Sequence, residues 1–188
     1  MDIRENAPAV ARAQVQIAAD PDTVWRLLSD LEGWPRWKPN VRSVSLRGPL
    51  VPGSKFVWKG GPGTIRSTLR EVDPPRRIVW SGATLGIKAI DVFRLEPRDD
   101  GTLVAQEESW EGLVVSLFAG RLRRTLQSSI DKGLADLKSE AERRAAADTS
   151  KPAAGPARLA ADPARLAAAP PRPAADPRHA SEQARRSS

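Results

Sequence analysis

Three side chains in this sequence have types and spacing suited to chemistry: Asp91, Gln106 and Glu108. In the strand predicted from Gly86 to Leu95, alternation places Ile87, Ala89, Asp91, Phe93 and Leu95 on one face and Lys88 and Arg94 on the other. Asp91 is therefore the one charged member of an apolar row. In the next strand, Thr102 to Glu111, one face carries Val104, Gln106, Glu108 and Trp110, and the indole favours that face as the inward one. Two inward carboxylates on neighbouring strands of one hairpin, in a partly dry pocket, raise one another's pKa and make a general acid or base near neutral pH. Three other arrangements would read the same in sequence. The register could be displaced by one residue, a carboxylate could pair with Arg121 or Arg124 of a later helix, or the polar groups could only orient a ligand.

Other catalytic chemistries find no support in the sequence. The single histidine, His179, lies in the C-terminal tail, there is no tyrosine or cysteine, and no HExxH, P-loop, GxSxG or GxGxxG pattern occurs. Gly60-Gly-Pro-Gly63 lacks the Lys-Ser/Thr and following helix of a phosphate loop and reads as a hairpin turn. Carboxylates do not cluster with metal-ligand spacing, so neither a metal nor a cofactor is expected. The six tryptophans, at 25, 34, 37, 58, 80 and 110, are the other unusual feature. Large rings gain much by burial, so most belong to a core, while Trp58, Trp80 and Trp110 on strands suit equally a core or a pocket wall together with Phe56. The candidate ligand-binding set is Trp37, Phe56, Trp58, Trp80, Phe93, Gln106, Trp110, Phe118 and Leu122, with Asp91 and Glu108 as candidate catalytic residues.

The elements that must position these residues follow from periodicity. Ala9 to Ala18 alternates as a strand, with Val15 and Ile17 on one face. A short helix follows, capped by Asp20 and opened by Pro21, with Val24, Leu27, Leu28 and Leu31 as its apolar stripe and Gly33 as its stop. Trp34 to Pro39 is a brief helical turn or loop. Six strands then alternate with turn signals: Val41 to Arg47, Gly53 to Lys59, Thr64 to Val72, Arg76 to Ser81, Gly86 to Leu95 and Thr102 to Glu111. From Val114 to Ala147 the residues Phe118, Leu122, Leu126, Ile130, Leu134, Leu137 and Ala141 recur at three- and four-residue steps, predicting one long helix with one buried face. The order of elements implies an α+β domain, a seven-stranded antiparallel sheet with helices on one face and a space between sheet and long helix.

These segments resemble a known family. Ala19-Asp-Pro-Asp-Thr-Val-Trp25, Trp34-Pro-Arg-Trp-Lys-Pro39, Gly53-Ser-Lys-Phe56, Glu71-Val-Asp-Pro-Pro-Arg-Arg-Ile-Val-Trp80 and the hairpin from Phe93-Arg-Leu-Glu-Pro to Glu108-Ser-Trp-Glu-Gly112 look, in their succession, like the polyketide cyclase/dehydrase branch of the START-like (SRPBCC) superfamily. The resemblance spans roughly residues 8 to 145. It implies a helix-grip fold, a seven-stranded antiparallel sheet wrapped around a long C-terminal helix with a deep cavity between them. Members of that superfamily bind lipids, hormones, polyketides or quinone-like molecules, and only some are catalysts.

Composition bounds the rest. Residues 1–8 read as an N-terminal extension, 9–147 as the helix-grip domain, and 148–188, rich in Ala, Pro and Arg, as a disordered tail containing the near-repeat Pro156 to Asp162 and Pro163 to Ala169. Of the net charge of +7, the segment from Ala146 onward holds seven Lys/Arg against four Asp/Glu, so the folded part is only mildly basic and nucleic acid is not an expected partner. No apolar run is long enough for a membrane span, and the N-terminus lacks the apolar core of a signal peptide, which predicts a soluble cytoplasmic protein. The first expected function is binding of a small hydrophobic ligand of polyketide, fatty acyl or isoprenoid type in the cavity. A cyclase, aromatase or dehydratase using Asp91 and Glu108 is the second. The third is a lipid-presenting interaction protein whose basic tail makes weak membrane contact.

Overall fold

The structure, a computed structural model, describes residues 1–61 and 63–150. The tail expected from 148 onward therefore lies outside the described residues apart from its first three, which continue the last helix.

Strand β1 (Ala9–Ile17) runs into helix α1 (Pro21–Ser29) through the predicted cap. Asp20 is extended and its carboxylate accepts from the Thr23 backbone N–H at 2.8 Å and from the Thr23 hydroxyl at 2.6 Å, satisfying donors that the first helical turn leaves unpaired. Asp30 repeats the device by accepting from Gly33 N–H at 3.1 Å, which starts a 3₁₀ segment at Leu31–Arg36. That segment buries Trp34, whose indole N–H donates to the Leu28 carbonyl at 3.1 Å.

Six strands follow as an antiparallel meander: β2 (Val41–Arg47), β3 (Lys55–Gly60), β4 (Gly63–Asp73), β5 (Arg77–Thr84), β6 (Ile87–Arg98) and β7 (Gly101–Glu111). β1 closes the series beside β7, giving the order β1-β7-β6-β5-β4-β3-β2. The chain then forms a short helix α2 (Leu113–Leu117) and the long helix α3 (Ala119–Ser150), completing the helix-grip arrangement. Gly112 makes the entry into α2 feasible. Its φ is 134°, and a Cβ there would lie 2.2 Å from the Gly86 carbonyl oxygen of the neighbouring turn.

The long helix differs from the prediction in one respect. At Phe118 the backbone leaves the helical region (φ −120°, ψ 30°), so the expected continuous helix from Val114 is two. Leu126, Ile130, Leu134, Leu137 and Ala141 are buried as the period requires, and Leu122 is half-buried, but Phe118 is 58 % exposed on the break. The break turns Phe118 away from the buried face, while Val115 of α2 remains in the core.

α3 packs chiefly along β1, an edge strand, and against α1. Its polar side chains bond to the backbone of that strand and of the residues flanking it. Arg123 donates to the Pro8 carbonyl at 3.0 Å, Gln127 to Arg12 at 3.1 Å and Lys138 to Gln16 at 2.6 Å, while Glu142 accepts from Ala18 N–H at 2.9 Å. The edge of the sheet is thereby occupied. Because the helix leans on β1, the middle of the concave face is left partly uncovered.

One end of that face is filled by aromatic rings. Trp34 meets Phe56 edge-on at 6.1 Å and Trp80 at 5.5 Å, and Trp80 stacks on Phe93 at 5.5 Å. The convex face has a small core of its own, in which Ile3 covers Val79, Ile90 and Val92. Residues 1–8 are thus a strap across the back of the sheet. Asp2 accepts from Arg77 and Arg94, each at 2.8 Å, and Arg4 N–H donates to the Ser109 hydroxyl at 3.1 Å.

Candidate functional site

Between the uncovered sheet and α3 lies a cavity of about 510 Å³. This is within the range of about 300–1,000 Å³ usual for small-molecule sites. Its sheet side is built in cross-strand rows. Trp80 of β5, Asp91 of β6, Glu108 of β7 and Ala11 of β1 are successive partners in one row; Ala89, Trp110 and Ala9 form the next, and Phe93, Gln106 and Ala13 the one on the other side. The three alanines of β1 belong to the packed core rather than to the cavity lining.

The helix side is Leu122 followed by a stripe of small and polar residues, Thr125, Ser129, Gly133 and Asp136, at steps of three and four. It runs parallel to the apolar stripe that anchors α3. Exposed Gly61, Leu85, Thr125 and Ser129 mark where the cavity meets solvent, between the β3–β4 and β5–β6 turns and the helix.

Of the residues expected at the site, Asp91, Gln106, Glu108, Trp58, Trp80, Trp110 and Leu122 line this cavity. Four expected residues do not. Phe56 and Phe93 are buried in the aromatic core, because the rings of Trp34 and Trp80 cover them. Trp37 is half-buried against the core outside the cavity lining, and Phe118 faces outward from the helix break.

Asp91 and Glu108 are paired directly across the β6–β7 ladder. Asp91 is buried and accepts from the Gln106 amide nitrogen at 3.0 and 3.2 Å, while Glu108 accepts from the Trp110 indole N–H at 2.6 Å. Burial pushes the Asp91 carboxyl well above its ordinary range, and the negative charge of Glu108 adds to the effect. Burial likewise raises Glu108 to about 7, against the opposing pull of the Trp110 hydrogen bond and the positive field of Lys38. Each strand contributes one side chain, and the cavity keeps both from full hydration.

The arginines that sequence offered as partners, Arg121 and Arg124, are exposed and pair with neither carboxylate. The cation in the cavity wall is Lys38, whose ammonium sits 5.3 Å above the Trp34 ring. Sequence reading missed it, along with Ser67, which accepts from the Trp58 indole N–H at 3.2 Å, and the polar stripe of α3. The stripe was legible as a second three-and-four repeat beside the apolar one. Lys38 had no such signal, since its place depends on how the 3₁₀ segment exits under α3.

Among the described residues no group of three or more His, Asp or Glu side chains could hold a metal ion. None of the described helices is long and apolar enough to cross a membrane.

The fold recurs in solved structures. A hypothetical protein of Helicobacter pylori matches with a TM-score of 0.66 at 15 % identity, covering 75 % of this chain and 96 % of its own. The Zhui aromatase/cyclase from Streptomyces sp. R1128 matches with a TM-score of 0.62 at 19 % identity over 72 % of this chain and 94 % of its own. A START superfamily protein from Mycobacterium smegmatis matches at 0.58 and 17 % identity over 72 % and 98 %. Identities this low carry the fold alone. No curated protein matches the sequence. The family model described as polyketide cyclase/dehydrase and lipid transport matches residues 8–142, most of the chain and all seven strands, and the chain belongs to that START-like family.

Proposed function

We propose that this protein binds a small hydrophobic ligand of polyketide, isoprenoid or fatty acyl type, with its apolar body against Trp58, Trp80, Trp110 and Leu122 and one polar end at Asp91, Gln106 and Glu108. The observation that carries this reading is the cavity of about 510 Å³, walled by indoles and carrying Asp91, Glu108 and Gln106 on its sheet side. Apolar walls supply affinity by removing ligand surface from water, and the few buried polar groups set orientation. The experiment is native mass spectrometry of the purified protein followed by solvent extraction of anything bound. A reproducible adduct of a hydrophobic small molecule, displaced in the Ala89→Phe variant, supports the reading. An adduct unaffected by that variant, or apo protein that takes up none of a panel of hydrophobic compounds, overturns it.

The cross-strand carboxyl pair favours a second reading, acid–base catalysis of cyclisation or dehydration on a bound carbonyl compound. A protonated Asp91 could give a proton to a leaving hydroxyl or an enolising oxygen, while Glu108, near the midpoint of its titration at neutral pH, could take one from carbon. Asp91→Asn separates the two readings. A binder keeps its affinity for a neutral ligand within a few fold, and a catalyst loses about two orders of magnitude or more in rate.

A further inference from the structure

The chain carries a net charge of +7, yet acidic side chains outnumber basic ones in the cavity lining. Its charged lining residues are Asp91 on β6, Glu108 on β7 and Asp136 on α3, against one cation, Lys38, after the 3₁₀ segment. Lys38 is already held over the Trp34 ring. The exposed arginines of α3 stay outside the lining.

With both carboxyls ionised, the polar groups are also rich in acceptors and poor in free donors. The Gln106 amide nitrogen is used on Asp91, the Trp110 indole N–H on Glu108 Oε1, and the Trp58 indole N–H on Ser67. The Gln106 carbonyl oxygen is buried with no partner, although Gln106 is only 4 % exposed. Glu108 Oε2 likewise receives no hydrogen bond among the described residues. A buried acceptor without a donor is costly, so a ligand that supplies donors gains what the empty site forgoes.

We propose that the ligand is an organic cation: a hydrophobic or aromatic amine whose ammonium group occupies the polar row, donating to Gln106 Oε1, Glu108 and Asp91, with its apolar body along the tryptophans. A primary ammonium has three donors and no acceptor, which matches three acceptor groups on adjacent positions of β6 and β7. Its charge is compensated by the carboxylates. A carboxylate ligand would meet three acids and one lysine and is rejected. This inference rests on the hydrophobic-ligand reading above and narrows it.

Binding a cation favours the ionised forms of Asp91 and Glu108, so complex formation near neutral pH releases protons. Lys38 and Asp136 are the other charges facing the pair, and neither replaces the missing donors.

The test compares three probes of one shape by isothermal titration calorimetry on the full chain: 2-(2-naphthyl)ethylamine, 2-(2-naphthyl)ethanol and 2-naphthylacetate. Titrations at pH 7 in phosphate and in Tris, whose ionisation enthalpies differ, read out proton release. The amine is expected to bind about tenfold or more tighter than the alcohol, with the acetate weakest and protons released only for the amine. In the Asp91→Asn/Glu108→Gln double variant the amine and the alcohol converge to within about threefold, and amine binding no longer releases protons. An alcohol as tight as the amine, or an acetate tighter than either, overturns the ammonium assignment and leaves the hydrophobic-ligand reading standing. Failure of all three probes overturns the ammonium assignment, and the hydrophobic-ligand reading falls with it when the protein also takes up none of the wider hydrophobic panel.

Discussion

Asp91 and Glu108 face each other across the β6–β7 ladder with both carboxyls turned to the cavity. They are set there by strand alternation, and neither is neutralised by an arginine. On the opposite face of the same hairpin Arg94 pairs with Glu107, so one strand of alternating acids serves a solvated ion ladder on one side and the cavity on the other. The consequences can be measured independently of any ligand.

Stability should fall as pH rises through neutrality. Glu108 is raised from an ordinary 4.5 to about 7, and Asp91 is raised as well, so the folded chain holds both protons more tightly than the unfolded chain does. The associated stability is fully present below about pH 4 and is lost as pH climbs through the folded values. Glu108→Gln should therefore resist urea better than the parent at pH 8, by on the order of a few kcal/mol, Asp91→Asn should change in the same direction, and both should lose the advantage at pH 4. Parallel pH profiles for parent and variants would show that the carboxyls are hydrated.

Ala89→Phe should close the cavity without unfolding the protein. Ala89 lies between Gly82 and Trp110 in its row and lines the open space, so a ring there occupies volume the ligand would use. Affinity for 2-(2-naphthyl)ethanol should drop about tenfold or more, with the melting temperature within a few degrees of the parent. Undiminished affinity would put the ligand elsewhere.

The N-terminal strap should contribute to global stability. Ile3 is 7 % exposed over Val79, Ile90 and Val92, and its truncation in Ile3→Ala leaves a gap in a small core with few ways to collapse. A loss of about 2 kcal/mol in urea unfolding is expected. A change below about 0.5 kcal/mol would mean that the strap does not hold the sheet in solution.

Asp20→Ala should cost about 1 kcal/mol, because Asp20 accepts two hydrogen bonds from Thr23 at the start of α1. Asp20→Asn should recover most of it. Equal losses in both variants would assign the effect to charge rather than to the cap.

The sequence by itself determined the elements and their faces. The period of two fixed which residues of β6 and β7 turn inward, and turn residues placed the meander. Asp20 and Pro21 marked the start of α1, and the repeat from Leu126 to Ala141 gave the buried face of α3. These are local properties, set by backbone geometry and neighbouring side chains, and a single chain states them directly. Tertiary structure decided which inward residues meet a void. Phe56 and Phe93 have the same alternation as Trp58 and Asp91, yet Trp34 and Trp80 cover the former, and the lean of α3 onto β1 leaves the latter open. It also decided that Phe118 stands outside the helix face and that Lys38, rather than Arg121 or Arg124, supplies the positive field at the carboxyls. Whether a side chain packs against another or faces a cavity depends on distances between segments far apart in sequence, and periodicity within one segment carries no record of them.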